Sequence, residues 1–310
     1  MNTTQISIIV PVFNEEGNIL PFFAELRKWV PDEYSAEFIF IDDGSTDSTM
    51  DKIRELQHDT TNVKYLSFTR NFGHQYALKA GLDHASGAAV ISLDGDFQHP
   101  PRLIPEMLAK WKDEGYKIVY TRRRDDHKLS FLKRVSSKLF YCMINSMSEA
   151  KIQPGSADFR LLDREVVDLL AKSSESTLFL RGMVSWTGFH SFGIEYCPDR
   201  RAWGHSKYTL PKMCHLAVDA MTSFSIVPLR FATFLGLFMS FFSGIYALYA
   251  ITIWFTDRQH VVLGWPSVIV SVLFIGGLQL LMLGIIGEYI GKIFLESKKR
   301  PHYILKGKSL

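Results

Sequence analysis

Asp94, Gly95 and Asp96 close an apolar run in "SLDGDFQHP" (92–100), and two carboxylates at that spacing need a cation, a proton or water between them. A D-x-D turn at a strand end can aim both at one point, with Gly95 permitting the bend. Hard oxygen ligands of this kind suit Mg2+ or Mn2+, which leave coordination positions for the oxygens of a diphosphate. Gln98 offers a further neutral oxygen. The alternative is a pair of solvated turn residues, and His99 has no role in either reading. In "IDDGSTD" (41–47) Asp43 precedes a Gly-Ser turn, where its carboxylate can accept from a base N–H or a ribose hydroxyl, while Asp47 reads as turn and helix cap.

Two later stretches add groups of the same chemistry. "GSADFRLLDREVVDLL" (155–170) sets Asp158 behind three small residues, which would leave it accessible in a cleft as a general base. Asp163 there reads as the cap of the next helix. "RRAWGHSKY" (200–208) gathers Arg201, Lys207 and Tyr208 around Gly204, a basic loop able to close over a diphosphate and stabilise a leaving group.

The elements that must position these residues are legible as alternation. Near-continuous apolar runs at 6–13, 36–42, 63–69, 88–94 and 117–121 predict strands buried on both faces, and helical patterns lie near 16–30, 47–58, 73–85 and 102–113. This order predicts an α/β fold with a mostly parallel sheet. Ligands of such sheets bind beyond the carboxyl ends of the strands, which is where Asn14, Glu15, Asp43, Arg70, Asn71, Asp94, Asp96 and Arg122–Arg124 fall. The first turn, "VFNEEGN", has no G-x-G-x-x-G, so neither a dinucleotide fingerprint nor a P-loop is present.

Charge and hydropathy then divide the chain. Phe231 to Thr256 and Gln259 to Gly287 carry no charged residue, and each run exceeds the roughly 20 residues that cross a bilayer. Basic residues flank the pair at both ends, and only Arg258 lies between them, which predicts both ends in the cytoplasm. The N-terminal stretch has neither a basic region nor a small-residue cleavage site and reads as a first strand, not a secretory signal. Three unpaired cysteines suit a reduced compartment and argue against zinc. The net charge is +3, yet eight basic residues between Lys117 and Lys138 face only Asp125 and Asp126, a patch that invites an anionic partner. Apolar spacing over 128–147 gives a basic amphipathic helix, for a membrane surface or for covering the sheet, and 209–227 could lie in the same plane.

In order along nearly the whole chain, "VPVFNEE", "DDGSTD", "TRNFGHQYAL", "DGDFQHP", "SADFRLLDR", "RRAWGHSKY" and "GEYIGKIFLESKKRP" resemble the GT-A, family 2 glycosyltransferases. Within that family the chain looks most like the polyprenyl-phosphate hexosyltransferases, the bactoprenol glucosyltransferases above all. The resemblance implies a Rossmann-like GT-A domain with amphipathic interfacial helices and two C-terminal transmembrane helices. It puts Pro11, Phe13, Glu15, Asp43 and Asp94 around the nucleotide sugar, with Arg201, Ser206 and Lys207 on a mobile loop beside the diphosphate. It makes Asp94, Asp96 and Gln98 the Mg2+ or Mn2+ site, Asp158 and Asp96 the catalytic carboxylates, and Arg122, Arg134 and Ser137 neighbours of the acceptor phosphate. The Q-x-x-R-W motif of processive synthases is absent.

The implied reaction is inverting transfer of glucose from UDP-glucose to undecaprenyl phosphate, at the cytoplasmic face of a bacterial inner membrane, for cell-envelope glycan modification. The alternatives are the same reaction with GlcNAc, mannose or an aminoarabinose derivative, or an inactive membrane scaffold. Membrane lipid is a partner and nucleic acid is not, and a homo-oligomer and a downstream flippase are compatible with the reading. The expected division is 1–125 for the nucleotide-sugar half, 126–227 for the acceptor half, 228–291 for the two spans and 292–310 for a basic cytoplasmic tail.

Overall fold

The computed structural model describes residues 4–123, 156–173, 175, 178–197, 227–256 and 265–309. These fall into two compact units, one from residues up to 197 together with 299–309, the other from the two long C-terminal helices.

The first unit is the expected doubly wound α/β sheet. Its parallel centre consists of β1 (Thr4–Val12), β2 (Tyr34–Asp42), β3 (Val63–Phe68) and β4 (Ala89–Ser92), in the order β4-β1-β2-β3. β1 and β2 alternate between two buried faces, as continuous apolar runs require. Ile6, Ile8, Val10 and Val12 pack with Phe22, Phe23 and Leu26 of α1 (Ile19–Lys28) and Met107 and Leu108 of α4 (Ile104–Lys112). The opposite face meets α3 (His74–His84), following α2 (Thr49–Asp59) in the chain. A Cβ on Gly81 would stand 3.0 Å from both Ile9 and Ile41, so α3 lies close on the sheet because that position has no side chain.

Beyond β4 the sheet departs from simple alternation. β5 (Ile118–Arg123) does not pair with β4. A strand absent from the predicted set, β6 (Ser156–Asp163), lies antiparallel between them, and β7 (Ser191–Tyr196) extends β5 in parallel. Asp163 ends β6 and caps α5 (Arg164–Lys172), its carboxylate accepting from the Glu165 N–H at 3.1 Å. α6 (Leu180–Trp186) follows. On the opposite edge, within the stretch expected as a basic tail, β8 (Leu305–Ser309) pairs antiparallel with β3.

The second unit holds α7 (Val227–Thr256) and α8 (Trp265–Ser297), both long and apolar enough to cross a membrane. Phe234, Leu237, Phe241, Leu280 and Leu283 are all exposed, an arrangement water does not favour. α8 runs ten residues past the uncharged stretch, through Glu288 and Lys292, so its last turns are amphiphilic. The amphipathic segments at 128–147 and 209–227 lie outside the described residues, apart from Val227.

Candidate active site

Four strand ends build the site. β1 leads into Asn14, whose positive φ of 55° turns the chain back toward the loop after β2. There the Asn14 N–H donates to Ser45 Oγ at 2.9 Å, and Asn14 Oδ1 accepts from the Thr46 N–H at 2.9 Å. The Glu15 N–H donates to Thr49 Oγ1 at 2.9 Å. The two loops are thus stitched by their own polar side chains. Asp47 accepts from the Thr49 N–H at 3.0 Å, beside the start of α2, as its turn-and-cap reading expects. Gly44, at φ 73°, is pressed against the loop after β3: a Cβ there would lie 2.4 Å from the carbonyl carbon of Arg70.

Pro11, Phe13, Glu15, Asp43, Asp94 and Asp96 border one cavity of about 200 Å³, so six of the expected donor-side residues converge. His74, from the start of α3, borders it too. Asp43 is buried and accepts from the N–H groups of Phe72 at 2.7 Å and Gly73 at 2.9 Å. Burial raises its pKa, against the pull of those donors. It therefore fixes the backbone that leads into α3 as well as facing the cavity.

The D-x-D turn is held from below. His99, only 2% exposed, stacks near Phe159 and accepts the Asp94 N–H on Nδ1 at 3.0 Å. Burial lowers its pKa, with Asp94 opposing, so the ring is a neutral acceptor. The Asp96 carboxylate accepts from the Gln98 N–H at 3.1 Å. The left-handed residue of the turn is Phe97, at φ 64°, and not Gly95. What Gly95 provides is close packing, because a Cβ there would stand 3.2 Å from Val12.

Asp158 corrects the expectation of an accessible base. It is 4% exposed and enclosed by cations. Arg181 donates from Nε to Oδ1 at 2.9 Å and from Nη2 to Oδ2 at 2.8 Å, and Arg160 donates to Oδ1 at 3.0 Å. Burial alone would raise its pKa, but Arg181, His74 and Arg160 hold the carboxyl well below the usual range. β6 pairs Ser92 with Arg160, and two residues further toward the rim this register sets Asp158 beside Asp94. His74 answers the repulsion between them, with Nε2 3.5 Å from each carboxylate. Burial works against its charge, yet Asp158 and Asp94 outweigh it and raise its pKa above the ordinary imidazole value.

Two further expectations change. Gln98 Oε1, expected on a metal, accepts from Arg123 Nη2 at 3.0 Å. Arg122, expected beside the acceptor phosphate, pairs with Glu195 of β7 at 2.8 Å in the exposed part of the sheet. Consecutive residues of β5 alternate across the sheet, so Arg122 opposite Glu195 and Arg123 opposite Tyr196 meet different neighbours, and Arg123 is the one that reaches the D-x-D turn. Arg134, Ser137, Arg201, Ser206 and Lys207 lie outside the described residues. Sequence reasoning missed Arg181, which no motif marks. His74 stands within "TRNFGHQYAL", and its place just beyond β3 is the available signal.

Among the described residues no three His, Cys, Asp or Glu side chains could together hold a metal ion. Two carboxylates on an open cavity are nevertheless the donor set expected for a cation that keeps water and phosphate oxygens in its shell.

The chain has many known relatives. Residues 7–170 match the model of the glycosyl transferase family 2. The chain is 43% identical over 305 residues to a bactoprenol glucosyl transferase of Shigella phage SfV, covering 97% of this chain and 98% of that one. It is 41% identical over 304 residues to YkcC, an uncharacterised glycosyltransferase of Bacillus subtilis strain 168, covering 97% and 93%. A solved structure of S. aureus TarS 1–349 with UDP-GlcNAc is 16% identical, with a TM-score of 0.49 over 71% of this chain and 66% of that one. With a family match over more than half its length and relatives aligned almost end to end, the chain belongs to glycosyl transferase family 2 and is a glycosyltransferase.

Proposed function

We propose that this glycosyltransferase moves glucose, with inversion, from UDP-glucose to undecaprenyl phosphate at the cytoplasmic face of a bacterial inner membrane. The observation that carries the reading is the convergence of Asp43, Asp94 and Asp96 on one cavity at the strand ends, in a chain that also bears two membrane-length apolar helices. The name of the phage relative supports the lipid acceptor and the glucose.

Pro11, Phe13, Glu15 and Asp43 bind the nucleoside side of the donor. Asp94 and Asp96 would hold a divalent cation, Mg2+ or Mn2+, which when bound neutralises charge on the departing diphosphate. The neutral His99 ring fixes the Asp94 backbone so that both carboxylates keep their aim. An oxygen of the acceptor phosphate attacks the anomeric carbon as the bond from that carbon to the UDP oxygen breaks. A phosphate monoester is largely ionised near neutral pH, so little proton removal is needed. Asp158, saturated by arginines, is a positioning residue that orders Arg181, Arg160 and His74 beside Asp94. Arg123, tied to the turn through Gln98, takes the place first given to Arg122. Arg134 and Ser137 complete the acceptor side, and Arg201, Ser206 and Lys207 the diphosphate side.

The test is direct. Purified protein incubated with undecaprenyl phosphate, Mn2+ and a panel of nucleotide sugars should yield a lipid product heavier by one hexose with UDP-glucose. A product formed only from another nucleotide sugar would remove glucose from the reading, and no lipid product from any donor would remove the acceptor.

A further inference from the structure

The outermost strand of the sheet comes from the far end of the chain, and one of its residues is out of step. Ser67 lies opposite Gly307 and Phe68 opposite Leu305, so Lys306 is the extra residue of a bulge between β3 and β8. Bulges re-aim a side chain and are common beside active sites. Lys306 borders a second cavity, of about 560 Å³, with Arg54, Arg70, Phe13 and Ser45. The carboxylate in its wall, Asp42, is 2% exposed and already accepts from the Ser45 N–H at 3.0 Å and Ser67 Oγ at 2.9 Å. The charge this cavity offers a ligand is therefore positive. Phe13 is the wall it shares with the acidic cavity of Asp94 and Asp96.

The strand that carries Lys306 is built in firmly. Tyr303 stacks on Phe68 with ring centroids 5.1 Å apart and donates its hydroxyl to Asp83 at 3.2 Å. The Thr69 N–H donates to the Ile304 carbonyl at 3.0 Å, and Gln57 hydrogen-bonds Ser309. A cation presented from so anchored an element is preorganised for a ligand.

We infer that Lys306 is a donor-binding residue: the last strand of the chain completes the nucleotide side of the pocket, where its ammonium meets a nucleoside diphosphate. This rests on the nucleotide-sugar reading above. A donor with its diphosphate at Asp94 and Asp96 extends past Phe13 into the basic cavity, where an aromatic wall suits a base and the cations suit the oxygens of the ribose and base.

Calorimetric titration of the full-length protein in detergent with UDP and Mn2+ tests this. Lys306→Ala should weaken UDP binding by about fivefold, the scale of one partly exposed charged contact. Lys306→Arg should restore most of the loss. Lys308→Ala, two residues along and opposite Leu66, should bind as the unaltered protein does. Melting temperatures of all variants should match, because Lys306 is exposed. Equal UDP affinity in Lys306→Ala and the unaltered protein would overturn the inference alone, and so would an equal loss in Lys308→Ala. An unaltered protein that takes up no UDP would overturn the donor reading and this inference together.

Discussion

Arg181 grips Asp158 side-on, its Nε and Nη2 reaching the two carboxylate oxygens at 2.9 and 2.8 Å, while Arg160 adds a third donor to the same group. A carboxylate held this way stays ionised far into acid and is a poor acceptor for one more proton.

Asp158→Asn should therefore act on geometry more than on proton transfer. We expect kcat to fall about a hundredfold, the low end for loss of an acid or base group, with UDP affinity within about twofold of normal. Steady-state assays of lipid-linked sugar, paired with UDP titration, measure the split. Arg181→Lys should not rescue Arg181→Ala, because an ammonium cannot reproduce the two parallel bonds. A pH profile whose acidic limb vanished in Asp158→Asn would contradict the positioning role.

Removal of divalent metal should stop turnover. EDTA treatment is expected to abolish product formation, and added Mn2+ or Mg2+ to restore it. Asp96→Asn should reduce kcat by at least about a hundredfold, on the scale of losing one group that stabilises departing charge. Turnover undiminished after EDTA would remove the metal from Asp94 and Asp96.

His99 should reveal itself through what it accepts. His99→Ala leaves the part-buried Asp94 N–H without its partner, at a cost of about 1 kcal/mol, and loosens the D-x-D turn. His99→Asn, whose side-chain oxygen lies near the position of Nδ1, should recover part of both stability and apparent metal affinity. Thermal melting and metal titration of the two variants distinguish the roles.

Acid stability should report on Glu37, in the first half of β2 and away from the strand end that builds the site. Burial would raise its pKa, but Lys64 at 2.9 Å, the Ser7 hydroxyl and both the N–H and hydroxyl of Ser86 at 2.7 Å bring it to about 2. Since the folded value is depressed, its stabilisation is complete above the unfolded carboxyl pKa and is lost as pH falls from there through about 2. The contribution is roughly 3 kcal/mol at full ionisation. Melting temperature against pH should be flatter for Glu37→Gln than for the unaltered protein over that acidic window, and lower at neutral pH.

The parallel centre of the sheet was legible because Ile6 to Val12 and Phe38 to Ile41 are apolar on both faces, a pattern few other elements share. The rim residues were legible for the same reason, since each polar residue stands where such a run ends. β6 was not, because Asp158 and Arg160 interrupt its apolar run and become buryable only by pairing with each other and with Arg181. Asp158 reads as accessible because Gly155, Ser156 and Ala157 precede it, and it is enclosed because Arg160 and, from elsewhere in the fold, Arg181 close on it. The neighbours of Arg122 and Arg123 depended on the pairing of β5 with β7, a strand the sequence did not announce, and the partner of Gln98 depended on them in turn. β8 is short and half lysine or polar, so its residues signal a solvated tail until β3 is there to pair with.

That pairing has a topological result. β3 precedes both long helices in the chain and β8 follows both, yet the two strands share one ladder. A chain that leaves a sheet and returns to it must cross any bilayer on the way an even number of times. Among the described residues only these two helices are long and apolar enough to cross, so on that count if one spans the other does too, a parity set by backbone hydrogen bonds and not by the lysines and arginines at the helix ends.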